Sequence, residues 1–208
     1  KRYGIINYTI NNDGSIDVFS NVDLAYRGLS KLPLKFGSVG GYFNCQNNQL
    51  TSLKGAPRSV GRGFYCQNNQ LTSLWGSSKS VGGHFYCYNN QLISLRGAPE
   101  SVVGNFYCYN NHLTSLEGAP KSVDGHFYCQ NNQLTSLRGA PKSVGGIFYC
   151  DGNPVESIWN LFKDYSKIDI LNDYDVIRDD KVILDRLNDF LIHIGKPPVS
   201  KVDGYINI

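Results

Sequence analysis

All six cysteines of the 208-residue chain fall on one arithmetic series: Cys45, Cys66, Cys87, Cys108, Cys129 and Cys150, each 21 residues from the last. A period this short leaves few folds open. A unit of that size cannot bury its own apolar face, so it must stack on copies of itself. The residues around each Cys repeat as well. One unit runs Val81-Gly82-Gly83-His84-Phe85-Tyr86-Cys87-Tyr88-Asn89-Asn90-Gln91-Leu92 and continues Ile93-Ser94-Leu95-Arg96-Gly97-Ala98-Pro99. A degenerate earlier unit sits in phase, with Leu24 placed 21 residues before Cys45 and Val22, Leu29, Leu32 and Val39 at matching offsets. That makes about seven coils.

Within the unit, Phe85 and Cys87 alternate with Tyr86 and Tyr88, the period of a short strand. Phe and Cys are expected to point into the stack and the tyrosines out, on a concave sheet. Leu92 and Leu95 complete the interior after the turn, and Val102 closes it on the return side. Gly97 and Pro99 predict irregular turns rather than helix on the convex side. The series Asn48, Asn69, Asn90, Asn111, Asn132 and Asn153 predicts an inward asparagine ladder whose amides satisfy backbone groups that the turns leave unpaired. The whole pattern, F-x-C-x-x-N-x-L-x-x-L, is the leucine-rich-repeat core with Phe and Cys at two aliphatic positions. The expected fold is therefore a leucine-rich-repeat solenoid with one short parallel strand per coil.

A stack needs lids at its ends. At the N-terminus, Tyr8-Thr9-Ile10, a turn over Asn11-Asn12-Asp13-Gly14, and Ile16-Asp17-Val18 predict a β-hairpin cap. At the C-terminus a helical cap is expected. One helix is read over 156–165, with Ile158, Leu161 and Phe162 on one face. A second is N-capped by Asp179 or Asp180 and carries an apolar stripe of Ile183, Leu187, Phe190, Leu191 and Ile194. Gly195 and Pro197-Pro198 end it, and a last strand over 204–208 closes an edge. The domain boundaries follow: 1–36 for the hairpin cap and degenerate repeat, 37–158 for six repeats, and 159–208 for the mostly helical cap.

The words F-Y-C-x-N-N-Q-L-T-S-L-x-G-A-P-x-S-V-G-G resemble the short bacterial-type leucine-rich repeats of phage and other virus-encoded proteins. They are also similar to repeats of secreted bacterial effectors. The likeness covers residues 22–158, and the stretches 7–16 and 152–206 resemble the caps of the phage-encoded group. The ubiquitin-ligase domain that some effectors carry is missing, so that activity is not implied. The resemblance implies a fold more than a role.

Stacked cysteines lie about 4.8 Å apart with parallel directions, whereas a disulfide wants Cβ atoms about 3.8 Å apart and turned together. A straight row cannot surround zinc either. The cysteines are thus read as buried free thiols, which suits a reducing compartment. His84 and His126 share one repeat position two coils apart, His112 and His193 lie elsewhere, and no nucleophile–base arrangement emerges, so no enzyme is expected. Asp169, Asp173, Asp175, Asp179 and Asp180 give only a fragment of a calcium loop and are read as solvated charges. No cofactor, metal or small-molecule substrate is implied.

The formal charge of +3 conceals an asymmetry: residues 1–150 hold 13 Lys/Arg against 6 Asp/Glu, whereas residues 151–208 hold 7 against 11. Two basic rows run along the flank, Lys54, Trp75, Arg96, Glu117, Arg138 and Arg58, Lys79, Glu100, Lys121, Lys142. Glu117 and Glu100 interrupt them, so solubility explains the rows better than nucleic-acid binding does. No stretch spans a bilayer or reads as a signal peptide. The chain holds no Met and so begins downstream of an initiator, with a leader left open.

The strand positions that face outward carry the functional expectation. One column reads Asn44, Tyr65, Tyr86, Tyr107, Tyr128, Tyr149, and the next Gln46, Gln67, Tyr88, Tyr109, Gln130, Asp151. Four tyrosines meet at the centre, flanked by His84, Asn105 and His126, as in a binding hot spot. Tyrosines copied with the repeat would also stabilise the sheet, which accounts for the first column. It accounts poorly for the second, where Tyr88 and Tyr109 replace Gln in two coils only. The candidate protein-binding residues are therefore Tyr65, Tyr86, Tyr88, Tyr107, Tyr109, Tyr128, His84 and His126, with Trp75 as a separate flank candidate. The expected role is a non-enzymatic protein-binding scaffold, phage- or virus-encoded, acting on a host protein in the cytoplasm. The alternatives are a virion component attached through caps or flanks, and a nucleic-acid binder using the basic flank.

Overall fold

A computed structural model describes residues 3–178 and 181–208. Its centre is a solenoid-like repeat arrangement of short parallel strands. The strands run from Val22–Asp23 through Phe43–Asn44, Phe64–Tyr65, Phe85–Tyr86, Phe106–Tyr107 and Phe127–Tyr128 to Phe148–Tyr149, and form one seven-stranded sheet. The register is 21 residues throughout: Phe85 opposes Phe64 and Phe106, and Tyr107 opposes Tyr86 and Tyr128. Identical residues therefore stack on identical residues, which is why one unit's chemistry becomes a column.

The return side is not left to irregular turns alone. Each coil adds a second two-residue strand, Ser59–Val60, Ser80–Val81, Ser101–Val102, Ser122–Val123 and Ser143–Val144, in parallel register with its copies. The reason is local. The Ser-Val pair alternates a more exposed polar side chain with one that is buried in the first four of these copies, and an exact 21-residue offset brings the backbones into ladder register. The turn before it does demand glycine. Gly97 holds φ +93°, and a Cβ there would lie 2.5 Å from the Leu74 carbonyl carbon.

Inside, the Phe rings stack at centroid spacings of 5.2 to 5.6 Å from Phe64 to Phe148. The cysteines and both leucines of each repeat are buried beside them. The predicted asparagine ladder forms: Asn90 Nδ2 donates to the carbonyls of Cys66, Cys87 and Tyr88, and its Oδ1 accepts from the Leu71 N–H at 3.0 Å. The preceding Asn of each pair does a different job. Asn47, Asn68, Asn89, Asn110 and Asn131 all sit at φ between 52° and 55°, a left-handed conformation that Asn tolerates better than most residues.

At the N-terminal end, Tyr8–Ile10 and Ile16–Val18 pair antiparallel, Tyr8 opposite Val18, and the second strand runs parallel to Phe36–Val39. The C-terminal part departs further from expectation. Helix α1 (Glu156–Phe162) is shorter than 156–165 because Lys163 turns left-handed, and Asp164 then N-caps a 3-10 turn at Tyr165–Lys167. Trp159, not Leu161, joins Ile158 and Phe162 on its buried face. Helix α2 (Ile168–Asp173) adds to the two helices expected from the sequence. The proposed capping residues Asp179 and Asp180 lie outside the described residues. Helix α3 (Leu184–His193) starts only at Leu184, with Ile183 in extended conformation ahead of it. Ahead of α3, Lys181–Val182 forms a strand between Ile177–Arg178 and Ile206–Asn207. The final strand is thus confined to two residues, and the unit is mixed rather than mostly helical. Phe148 hands the interior ring stack to it through Trp159 at 5.3 Å and Tyr165 at 5.1 Å. Among the described residues no helix is long and apolar enough to cross a membrane.

Candidate binding face

The outer side of the Phe-Tyr sheet holds the predicted tyrosines, and the structure brings them into one continuous array. Tyr65, Tyr86, Tyr107, Tyr128 and Tyr149 follow one another at centroid distances of 5.1, 4.4, 4.5 and 4.8 Å. Tyr42, which was not foreseen, joins at 6.1 Å from Tyr65. Tyr88 and Tyr109 form their own stacked pair, 4.4 Å apart and 9° from parallel. This pair meets the first column at Tyr86, 6.0 Å from Tyr88, and at Tyr107, 6.4 Å from Tyr109. All of these rings are half-buried rather than fully exposed. Tyr107, Tyr128 and Tyr149, like Tyr88 and Tyr109, spend ring faces on one another, whereas Tyr65 and Tyr86 meet tilted and Tyr86 meets Tyr107 edge-on. Burial, with the neighbouring phenols, pushes the Tyr86 and Tyr109 hydroxyls up to about 12.

The two histidines have a structural task. His84 Nδ1 accepts the Asn105 backbone N–H at 3.0 Å, Asn105 Oδ1 accepts that of His126 at 2.9 Å, and His126 Nδ1 accepts that of Ile147 at 2.8 Å. Each side chain thus satisfies the backbone of the next coil just before its Phe-Tyr strand. A neutral ring accepting at Nδ1 carries its hydrogen on Nε2, so only that edge of His84 or His126 is available outward. Asn105 also donates to the Tyr107 hydroxyl at 2.8 Å, fixing that ring.

The second column shows what the tyrosine pair displaces. Gln67 Nε2 donates to Gln46 Oε1, the beginning of an amide ladder along the sheet. Tyr88 and Tyr109 break that ladder, and the buried Gln67 Oε1, which a Gln at 88 would serve, has no hydrogen-bond partner among the described residues. Nor does Gln130 Oε1, which Asp151 of the following coil cannot serve. Unpaired buried acceptors cost about 1–3 kcal/mol each. The pair therefore sits where the repeat's own residue would have continued a hydrogen-bond network.

The sequence also carries a signal in what this face lacks. The stretches 42–53, 63–74, 84–95, 105–116 and 126–137, which supply this face, contain no Lys, Arg, Asp or Glu. Asn89, Asn110 and Asn131 instead donate sideways to Asn68, Asn89 and Asn110 at 2.8, 2.8 and 3.0 Å. Over these five coils the face is aromatic, amide-rich and uncharged, and Asp151 enters its second column only in the last coil.

The remaining candidates lie apart from it. The cysteines are free and buried, and burial pushes each thiol up, Cys150 to about 12. Cys66 and Cys87 donate to the Tyr86 and Tyr107 carbonyls at 3.3 Å rather than to one another. In the basic rows, Glu117 lies 3.5 Å from Arg96 and 3.7 Å from Arg138, and Glu100 lies 3.5 Å from Lys121. The acids that interrupt the rows thus make exposed ion pairs between coils, each worth about 0–1 kcal/mol. Asp175 is held below the usual carboxylate range by Arg178, with Arg186 also bound to it. His193 Nδ1 meets the Tyr174 hydroxyl at 2.8 Å. Trp75 is 66% exposed on the flank. Comparison with protein-family models, with curated proteins and with solved structures gives no match.

Proposed function

We propose that this chain is a non-enzymatic leucine-rich-repeat scaffold that binds a protein partner through its tyrosine face. In this reading the N-terminal hairpin and the C-terminal helix-and-strand unit are caps, and the repeat chemistry is of the phage- and virus-encoded kind. Six buried free thiols suit work inside a reducing host cytoplasm. The observation that carries the proposal is the Tyr88–Tyr109 pair. It interrupts an amide ladder and leaves the buried Gln67 acceptor without the donor that a Gln at position 88 would supply, which a copied structural residue has no reason to do. Tyrosines offer large, rigid contact area with little side-chain entropy to lose, which is the property binding hot spots select. An uncharged face supports a protein partner over nucleic acid, whose phosphates need cations.

The test uses the repeat's own residue. In affinity capture from host lysate followed by mass spectrometry, Tyr88→Gln/Tyr109→Gln is expected to lose partners that the wild type retains. Reversion to the repeat consensus keeps the coil foldable, so loss reports on contact rather than on unfolding. Equal retention by the two proteins would remove the tyrosine face from the proposal.

A further inference from the structure

A second surface lies on the opposite flank, where two coils depart from the repeat side by side. The third coil reads Trp75-Gly76-Ser77-Ser78 where the second reads Lys54-Gly55-Ala56-Pro57. One coil earlier, the same columns hold Pro33, Leu34, Lys35 and Phe36, so a bulky Leu34 occupies the place of a glycine. The outcome is a cleft of about 790 Å³. Small residues, Gly55 and Ala56, make its floor. Leu34, 39% exposed, rises on one side and Trp75, 66% exposed, on the other. The walls stand two coils apart, about 10 Å, which suits one inserted side chain and not a second folded element.

The rim is cationic. Lys31, Lys35, Lys54 and Arg58 all line the cleft, and no acidic residue does. Asp13, just outside, bonds Lys35 at 2.8 Å and stands 4.0 Å from Arg58. Four cations against that one acid leave a net charge of +3 around an apolar slot. A nearby aromatic wall with a positive rim matches an acidic peptide segment that carries one apolar anchor: the anchor desolvates against Trp75 and the flanking carboxylates meet the rim. Nucleic acid is a poorer match. A phosphate chain needs cations to continue along its track, and beyond the cleft Arg96, Arg138 and Lys121 are already paired with Glu117 and Glu100.

We propose that the Leu34–Trp75 cleft is a docking site for an acidic, apolar-anchored peptide segment, separate from the tyrosine face. The probe is a fluorescein-labelled peptide of about ten residues, one Phe flanked by four Glu, followed by fluorescence anisotropy. Controls are the same peptide with Gly for Phe, the Phe peptide with Ser for Glu, and a single-stranded oligonucleotide. The Phe–Glu peptide is expected to bind at low salt, more weakly as salt rises. Trp75→Ala should weaken it about tenfold or more, in the range of losing one hot-spot aromatic. Tyr88→Gln/Tyr109→Gln should leave it within about twofold, since distant sites act independently. Trp75 is exposed, so far-UV circular dichroism should show an unchanged fold. The proposal is overturned if the peptide does not bind at millimolar concentration, or if Trp75→Ala leaves its binding intact. It is equally overturned if the oligonucleotide is the Trp75-dependent ligand, or if sedimentation shows that Trp75 instead holds a second copy of the chain.

Discussion

The two sides of one sheet obey different rules. Facing in, every coil from the second onward repeats Phe, Cys, Asn and, in all but the last, Leu without exception, and the structure stacks them as unbroken columns. Facing out, the same strands vary: Tyr or Asn, then Gln, Tyr or Asp, with Tyr, Gly, His, Asn or Ile ahead of them. Interior positions are constrained because any volume change is felt by the coils above and below. Exterior positions are free to vary, so a departure there, and above all one that disturbs a hydrogen-bond network, carries information about contact with something else.

Adjacent asparagines test the difference most severely. Asn111 faces in, donating to the carbonyls of Cys87, Cys108 and Tyr109 and accepting from the Leu92 N–H. Asn111→Ala strands the Leu92 N–H in the interior, while the Cys87, Cys108 and Tyr109 carbonyls keep Asn90, Asn132 and the Asn89 N–H as donors. It is expected to cost about 2–3 kcal/mol in urea unfolding, the upper part of the range of about 1–3 kcal/mol for one unsatisfied group, because the lost side chain also leaves a cavity. Asn110 faces out at φ 53°. Asn110→Ala strands no buried group. It meets the left-handed backbone penalty, about 1 kcal/mol, which Asn110→Gly should recover. It also gives up two exposed side-chain hydrogen bonds, with Asn89 and Asn131, whose ends water can satisfy. Similar costs for the two alanines would break the distinction between the faces.

Alkali separates the faces by onset. Burial raises all six interior thiols above their ordinary value of 9.0. It also raises the Tyr86 and Tyr109 phenols on the outer face from 10.0 to about 12. A raised folded value means that the fold favours the protonated form. Its stabilisation is complete below the unfolded value and is lost as pH climbs through the folded one. Thermal stability should therefore begin to fall near pH 9 through the interior and fall faster above 10 as the tyrosines contribute. Tyrosinate absorbance should show a late component near pH 12 that Tyr109→Phe reduces. Thiol reagents should find no reactive cysteine in the folded chain and six after denaturation, and any smaller number would contradict the straight-ladder geometry.

How far the sequence disclosed this arrangement depends on the same distinction. The 21-residue Cys series predicted the stack, and Asp13-Gly14 the hairpin, because periodicity and turn chemistry are local signals. The Ser-Val ladder is not legible in the same way, since two residues are too few for a visible period. In the C-terminal part the 21-residue period stops, and only the apolar stripe of α3 is a local signal. There Lys163 ends α1 through a left-handed backbone, and Lys181–Val182 becomes a strand by pairing with residues on either side of it in sequence. At the tyrosine face, the column of rings was legible, whereas the histidine links to the next coil and the broken glutamine ladder depend on side-chain geometry across coils. Absence of charge was legible too, but only once the residues sharing a face were known.

The smallest expected effect is the most discriminating. Tyr88→Gln/Tyr109→Gln removes a stacked pair worth about 0.5–1.5 kcal/mol. It also lets the amide column run from Gln46 through Gln130, giving the Gln67 acceptor, in the ladder direction set by Gln67 and Gln46, a partner worth about 0.5–1.5 kcal/mol. The two changes nearly offset, so the midpoint of urea unfolding should stay put or rise, by no more than about 1 kcal/mol in stability. If the tyrosines were there to hold the sheet, the reversion would cost stability as an aromatic deletion does. Stability kept while partner capture is lost is the pattern of a contact site maintained at the expense of the fold's own hydrogen bonding. A clear loss of stability would instead return Tyr88 and Tyr109 to the architecture, and leave the Trp75 cleft as the surface with the stronger claim to a partner.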